Sequence, residues 1–203
     1  MASVNGIRLQ AWEAGPPDGR AVVLLHGFPE FWYSWRHQIR FLADAGFRVI
    51  APDLRGYNVS DKPPRVADYR IEPLVADVIG LIEQTTRGRD TLVGHDWGGI
   101  IAWFAAMRHP ERIEKLVILN APHAAAYLRE LRRPSQLLRS WYAPFFQLPW
   151  LPERVMRWND YAGVRSLFRS GPARTSMTPE AGPVKGDGAR QRGRESLMCS
   201  QHQ

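Results

Sequence analysis

Cysteine is almost absent: Cys199 stands alone among 203 residues. A single thiol cannot build an intramolecular disulfide framework or a cysteine-ligated zinc site. Long apolar runs are missing as well. No stretch reaches the roughly 18–20 apolar residues that a membrane span needs. The N-terminus has no basic segment leading into an apolar run, as a secretion signal would. These absences predict a soluble, cytoplasmic chain without a membrane span. Aromatic residues vanish after residue 168: all eight tryptophans, six tyrosines and eight phenylalanines precede that point. Residues 169–203 instead hold five glycines and three prolines, with six basic side chains against three acidic ones. Such a segment cannot bury enough apolar area to offset its ordering entropy, so a disordered tail is expected there. The whole chain carries a net charge of +7. No basic run is interleaved with aromatics as a base-stacking platform would be. The charge therefore reads as an arginine-rich solvated surface, with no nucleic acid as partner.

What remains is a globular composition, 44% hydrophobic and 23% charged, with room for one domain. Strand and helix patterns alternate along it. Gly6–Trp12 alternates apolar and polar residues, as a half-exposed edge strand should. Ala21–Leu25 is continuously apolar, the pattern of a strand buried on both faces of a parallel sheet. It stops at His26–Gly27–Phe28–Pro29–Glu30. Trp35, Ile39 and Leu42 then recur at helical spacing. Phe47–Ala51 predicts the next strand, closed by Pro52–Asp53–Leu54–Arg55–Gly56–Tyr57. Leu74, Val75, Val78, Ile79 and Ile82 mark one face of an amphipathic helix. A fourth buried strand is expected at Lys115–Leu119, ending at Asn120–Ala121–Pro122. Alternation of this kind predicts an α/β fold with a doubly wound, mostly parallel sheet, whose site lies at the carboxyl ends of the strands.

The centre of the pattern is Asp90–Thr91–Leu92–Val93–Gly94–His95–Asp96–Trp97–Gly98–Gly99. A β-strand run ends at Gly94, and the apolar helical segment Ile100–Met107 begins just past Gly99. Asp96 occupies the apex of the turn between them, in the pattern G-x-nucleophile-x-G. Small residues flank the apex because strand and helix pack too closely there for larger side chains. A carboxylate at this apex is ionised at neutral pH and needs no base before it attacks an electrophilic carbon. The product of that attack is an ester to the protein. A strained epoxide meets the requirement, and so does a carbon–halogen bond. An opening epoxide needs a proton donor for its alkoxide, whereas a departing halide needs N–H donors.

Four motifs, His26–Glu30, Asp53–Tyr57, Gly94–Gly99 and Asn120–Pro122, together with Ser140–Trp141–Tyr142 and Gln147–Glu153, resemble the epoxide hydrolase branch of the α/β-hydrolase superfamily. The resemblance covers about residues 1–168. It implies Asp96 as the nucleophile. It implies an oxyanion hole made by the backbone N–H groups of Phe28 and Trp97. Tyr142 matches one of the two tyrosines that protonate the epoxide oxygen, and the second is not found. His26, Pro29, Trp97, Trp141 and Phe145 are implied to line the substrate pocket. Phe28 stands where haloalkane dehalogenases carry asparagine, which favours the epoxide branch over a dehalogenase-like hydrolase.

The implied partners are a small apolar epoxide and water, with no cofactor and no metal. The implied organisation is an N-terminal hydrolase core over 1–122, the start of a helical cap over 123–168, and a tail outside the family pattern over 169–203. That tail stands where the family places an acid partner and the histidine that activates water. His202 has no strand before it and no Gly-His-Trp-like context. His95 reads as structural, because neighbouring side chains at a sharp turn point apart. The expectation is therefore a truncated or frame-shifted chain that forms the ester once and does not turn over. A catalytically dead fragment that only binds apolar ligands stays open as an alternative.

Overall fold

The computed structural model describes residues 1–85, 89–130, 133, 145–146 and 148–170, with backbone alone from 164 to 170. The chain divides into two compact units after Ala121.

The first unit opens with a hairpin, β1 (Ala2–Val4) and β2 (Ile7–Leu9). Its turn is Asn5–Gly6, both at positive φ (45° and 74°), the dipeptide and conformation that suit a two-residue hairpin. The expected single strand over Gly6–Trp12 is thus broken in two. At Gln10 the backbone leaves β2, its N–H donating to Ser60 Oγ (3.0 Å) and its C=O accepting from Asp53 N–H (2.8 Å). β3 (Ala11–Ala14) then joins a different sheet.

That main sheet also contains β4 (Ala21–Leu25), β5 (Arg48–Pro52), β6 (Asp90–His95) and β7 (Ile113–Leu119). Its spatial order is β3-β5-β4-β6-β7. β3 runs antiparallel to β5, and the remaining pairings are parallel. From β4 the chain first steps outward to β5 and then returns to the other side as β6. This change of direction makes a topological switch point at the carboxyl ends of β4 and β6, the position at which open α/β sheets bind ligands.

Helices cover the two faces through alternate strand residues. Val23, Leu25, Ile50 and Leu92 pack with α2 (Ile71–Thr85) and α3 (Trp97–Arg108). Val22, Leu24, Val49 and Ala51 pack with Trp35 and Ile39, which belong to a short 3₁₀ turn (Trp32–Trp35) and to α1 (Arg36–Asp44). α3 starts at Trp97, earlier than the apolar segment alone indicates, because Gly98 and Gly99 lie inside its first turn. β7 departs further from expectation. It is not buried on both faces: Glu114, Lys115, Val117 and Leu119 are exposed, and β7 is the last strand of the sheet among the described residues. A continuous apolar run does not reveal which of its residues have neighbours on both faces of the sheet.

The second unit is helical in its described part. It holds α4 (Ala124–Glu130) and a longer α5 (Leu151–Ser170). α5 is interrupted at Trp158–Tyr161, where Asn159, Asp160 and Tyr161 take positive φ. α5 passes the expected cap boundary at 168 by two residues, and the rest of the anticipated tail lies outside the described residues. Among the described residues no helix is long and apolar enough to cross a membrane.

One ion pair is fully inside the first unit. Arg55 Nε and Nη2 each donate to Asp77 at 2.7 Å, and Asn5 Nδ2 adds a bond to Asp77 Oδ1 at 3.0 Å. The bidentate geometry fixes the loop after β5 to α2 and the first hairpin. Asp77→Ala leaves the guanidinium buried and unpaired, and should lower stability by about 3–5 kcal/mol. A urea unfolding midpoint unchanged from that of the parent chain would show that the pair does not hold this loop.

Candidate active site

Asp96 follows β6 directly. Its φ of 49° and ψ of −117° lie outside the regions a side-chain-bearing residue prefers, at a cost on the order of 1–3 kcal/mol. Two hydrogen bonds hold it there. Asp96 N–H donates to Leu119 C=O (3.0 Å), and its own C=O accepts the N–H of Ile100 (3.1 Å). The neighbours must be small. A Cβ at Gly98 would lie 2.5 Å from the carbonyl oxygens of both Leu25 and His26, and one at Gly94 would lie 2.5 Å from Gly98 O. The start of α3 therefore rests directly on the backbone at the end of β4.

This contact brings the loop after β4 to the carboxylate. Phe28 N–H donates to Asp96 Oδ2 at 3.0 Å. Asp96 makes no side-chain capping bond to α3. Gly27 is equally constrained: a Cβ there would sit 2.7 Å from Asp96 Cβ. The Phe28–Pro29 peptide is cis. Phe28 and Trp97 are 47% and 38% exposed and stand at the open rim, with Pro29 half-buried beside them.

His26, expected to line the pocket, lies beneath the site instead, with 0% exposure. Leu54 N–H donates to its Nε2 at 3.0 Å. Nε2 is thereby the acceptor, so the proton resides on Nδ1, 2.9 Å from Gly27 C=O. One neutral imidazole thus joins the loops after β4 and β5. Burial lowers its pKa to about 4. Tyr57 packs edge-on against it with ring centres 4.7 Å apart. Burial first, and the charge of Asp96 second, push the Tyr57 hydroxyl up to about 12. Asp53 completes this layer: its carboxylate accepts Trp32 N–H (2.9 Å) and Asn58 Nδ2 (2.8 Å). Burial raises its pKa against the pull of those two bonds.

His95 is tied away from the apex. Its Nδ1 lies 3.4 Å from Glu30 Oε2, Asn120 Nδ2 lies 3.4 Å from its Nε2, and its ring meets Trp35 edge-on. The Glu30 contact raises the His95 pKa and lowers that of Glu30. Sequence reasoning passed over both Glu30 and Tyr57 as neighbours of the site. The available signal was their position in the His26–Glu30 and Asp53–Tyr57 motifs.

Trp141 and Tyr142 lie outside the described residues. Phe145 belongs to the second unit, half-buried and edge-on to Phe146 at 5.5 Å. Among the described residues no group of three or more His, Cys, Asp or Glu side chains could hold a metal ion.

A sharp strand–turn–helix bearing a carboxylate at the switch point of a mostly parallel sheet defines an α/β-hydrolase. The chain belongs to the alpha/beta hydrolase fold family, whose pattern matches residues 20–163. It is similar to the AB hydrolase superfamily protein YfhM of Bacillus subtilis, with 52% identity over 79% of this chain and 57% of that protein. Epoxide hydrolase 4 of Mus musculus is 43% identical over 82% of this chain and 46% of its own length. The crystal structure of Bacillus megaterium epoxide hydrolase in complex with an inhibitor superposes with a TM-score of 0.77. It is 40% identical, over 82% of this chain and 57% of that one. The chain spans about half the length of the curated relatives it matches.

The buried state of His26 has a measurable consequence. Unfolded, the imidazole titrates near 6.5; folded, near 4. Between those values the unfolded chain binds a proton that the folded chain refuses. Stability should therefore fall as pH drops from about 6.5 to 4, by about 3 kcal/mol from this group at full extent. Urea midpoints of the parent and of His26→Gln, compared at pH 7 and pH 4.5, should show the smaller decline in the variant. Equal declines would contradict a neutral buried His26.

Proposed function

We propose that this chain carries the alkylating half-reaction of an epoxide hydrolase. One Asp96 oxygen attacks an epoxide carbon, a C–O ester bond forms, and the ring C–O bond breaks. The ring oxygen departs with the bonding pair and takes a proton, for which Tyr142 is the proposed donor. In the complete epoxide hydrolase reaction a general base would take a proton from water as that water attacks the ester carbonyl, releasing the vicinal diol and the carboxylate. The backbone N–H groups of Phe28 and Trp97 hold the oxyanion of that second step. Residues 1–122 form the hydrolase core in this reading, and 123–168 the beginning of a helical cap.

The observation that carries the proposal is the 3.0 Å bond from Phe28 N–H to Asp96 Oδ2. A donor already on Oδ2 marks it as the oxygen that becomes the ester carbonyl, which leaves Oδ1 to attack. The same bond holds the carboxylate in a fixed orientation before substrate arrives. Similarity to epoxide hydrolases at 40–43% identity supports the choice of electrophile, as does Phe28 in the place where dehalogenases carry asparagine. Ester hydrolysis requires a general base, and of the described histidines near Asp96, His26 is buried and His95 is tied to Glu30 and Asn120. The chain by itself should consequently stop at the ester.

Incubation with styrene oxide followed by intact-mass measurement tests this. One substrate mass should add to the parent chain, with no accumulating diol, and none should add to Asp96→Asn. Sustained diol formation would refute the single-turnover reading. Halide release from a bromoalkane would favour the dehalogenase-like alternative. A chain that is folded by circular dichroism yet gives neither adduct nor diol would favour the ligand-binding fragment.

A further inference from the structure

Asn5 and Gly6 form the tip of the first hairpin, and both are exposed. Gly6 takes a φ of 74° and has no Cβ to shield its peptide nitrogen. That nitrogen lies outside the β1–β2 ladder, which ends at the Val4–Ile7 pair. A glycine after asparagine gives the least hindered approach of a backbone nitrogen to the preceding side-chain amide. Asparagine is among the chemically labile residues of proteins for this reason.

The same amide is a structural tether. Asn5 Nδ2 donates to Asp77 Oδ1 at 3.0 Å and to Pro73 C=O at 3.4 Å, which fastens the tip to α2. Asp77 is the carboxylate that grips Arg55 through both of its oxygens, in a buried pair. Gln84 Nε2 adds a bond to Ser3 C=O at 2.5 Å, and Val4, Ile7 and Leu9 are buried. β1 and β2 form a sheet of their own, and a two-stranded hairpin is marginal without such contacts.

We propose that Asn5 is a site of spontaneous deamidation, gated by lifting of the hairpin tip from α2, whose product does not restore the contact with Asp77. In the closed hairpin the bonds to Asp77 and Pro73 hold the amide against α2. When the tip lifts, the Gly6 peptide nitrogen gives its proton to hydroxide and attacks Asn5 Cγ. An N–C bond forms, the Cγ–Nδ2 bond breaks, and Nδ2 takes a proton from water and leaves as ammonia. Water then adds to either carbonyl of the cyclic imide and opens it, giving aspartate or isoaspartate at position 5. The reaction consumes water alone and changes no oxidation state. Its product replaces a donor by a carboxylate facing Asp77 Oδ1, and like charges at that separation repel. Asp77 does not turn away, because Arg55 holds both of its oxygens. The isoaspartate form also lengthens the backbone by a methylene, which disturbs the two-residue turn. The closed hairpin is therefore less favoured after the reaction than before it.

Tryptic mapping of the full chain during incubation at mildly alkaline pH tests the chemistry. The peptide Met1–Arg8 has Asn5 as its sole amide side chain. It should gain the amide-to-acid mass increase as two chromatographically separable isomers, several-fold more slowly in the folded chain than in urea. Asn5→Gly tolerates the positive φ and removes the amide, so its peptide should keep its mass. Asn5→Asp copies one product, whereas Asn5→Gly loses the same bond without adding a charge. At pH 7 the Asn5→Asp chain should therefore unfold at the lower urea concentration, and the difference should shrink in an Asp77→Asn background. A Met1–Arg8 peptide that keeps its mass in the folded chain while the urea-unfolded chain converts would overturn the reaction, and equal rates in the two would overturn the gating. Equal urea midpoints for Asn5→Asp and Asn5→Gly would overturn the role given to Asp77.

Discussion

The site depends on one steric constraint, the direct contact between the first turn of α3 and the backbone at the end of β4. With any side chain at Gly98, its Cβ would stand 2.5 Å from two carbonyl oxygens. Only a glycine lets the helix begin so close to the sheet. That closeness forces the sharp reversal at Asp96 and with it the strained φ of 49°. It also leaves Gly27 within van der Waals distance of the Asp96 side chain, so that the next peptide N–H, that of Phe28, falls on the carboxylate. Strain, orientation and hydrogen bonding of the candidate nucleophile are consequences of a single approach distance.

A polar layer beneath the rim keeps that approach rigid. His26 accepts from the loop after β5 and is paired with the loop after β4. Asp53 ties the same loop to Trp32 and Asn58, and Arg55 anchors it to Asp77 of α2. Each of these groups is buried, and each would be costly without its partner. The layer therefore fixes the relative positions of two loops that the sheet alone would leave free to move. Since burial keeps His26 neutral, an uncharged hydrogen-bonded imidazole and the buried Arg55–Asp77 ion pair together hold this scaffold beneath Asp96.

The sheet itself is asymmetric. Among the described residues one face is covered up to β7 by α2 and α3, while α1 covers the β3 side of the other. The strand that positions Asp96 through Leu119 C=O is also the outermost described strand. Leu119, which holds the apex, thus lies on a strand whose Val117 and Leu119 side chains are exposed.

The order of strands and helices, the Asp96 apex and the glycines around it were legible in the sequence, because periodicity and turn chemistry are local properties. Ala21–Leu25 and the face of α2 follow from apolar spacing alone. Asn5–Gly6 carried a hairpin signal as well, although the alternation through Gly6–Trp12 concealed it. Three features were decided only by the tertiary structure. His26 passes from the pocket wall to the buried layer because Leu54, 28 residues away, donates to it. β7 is partly exposed, as the outermost described strand, because burial depends on neighbours and not on its own apolar run. Glu30 and Tyr57 approach the site because β4, β5 and β6 end side by side. The sequence by itself determined which residues could carry the chemistry. Long-range hydrogen bonding and strand order, which no local pattern encodes, decided which of them face the Asp96 carboxylate and which support it from below.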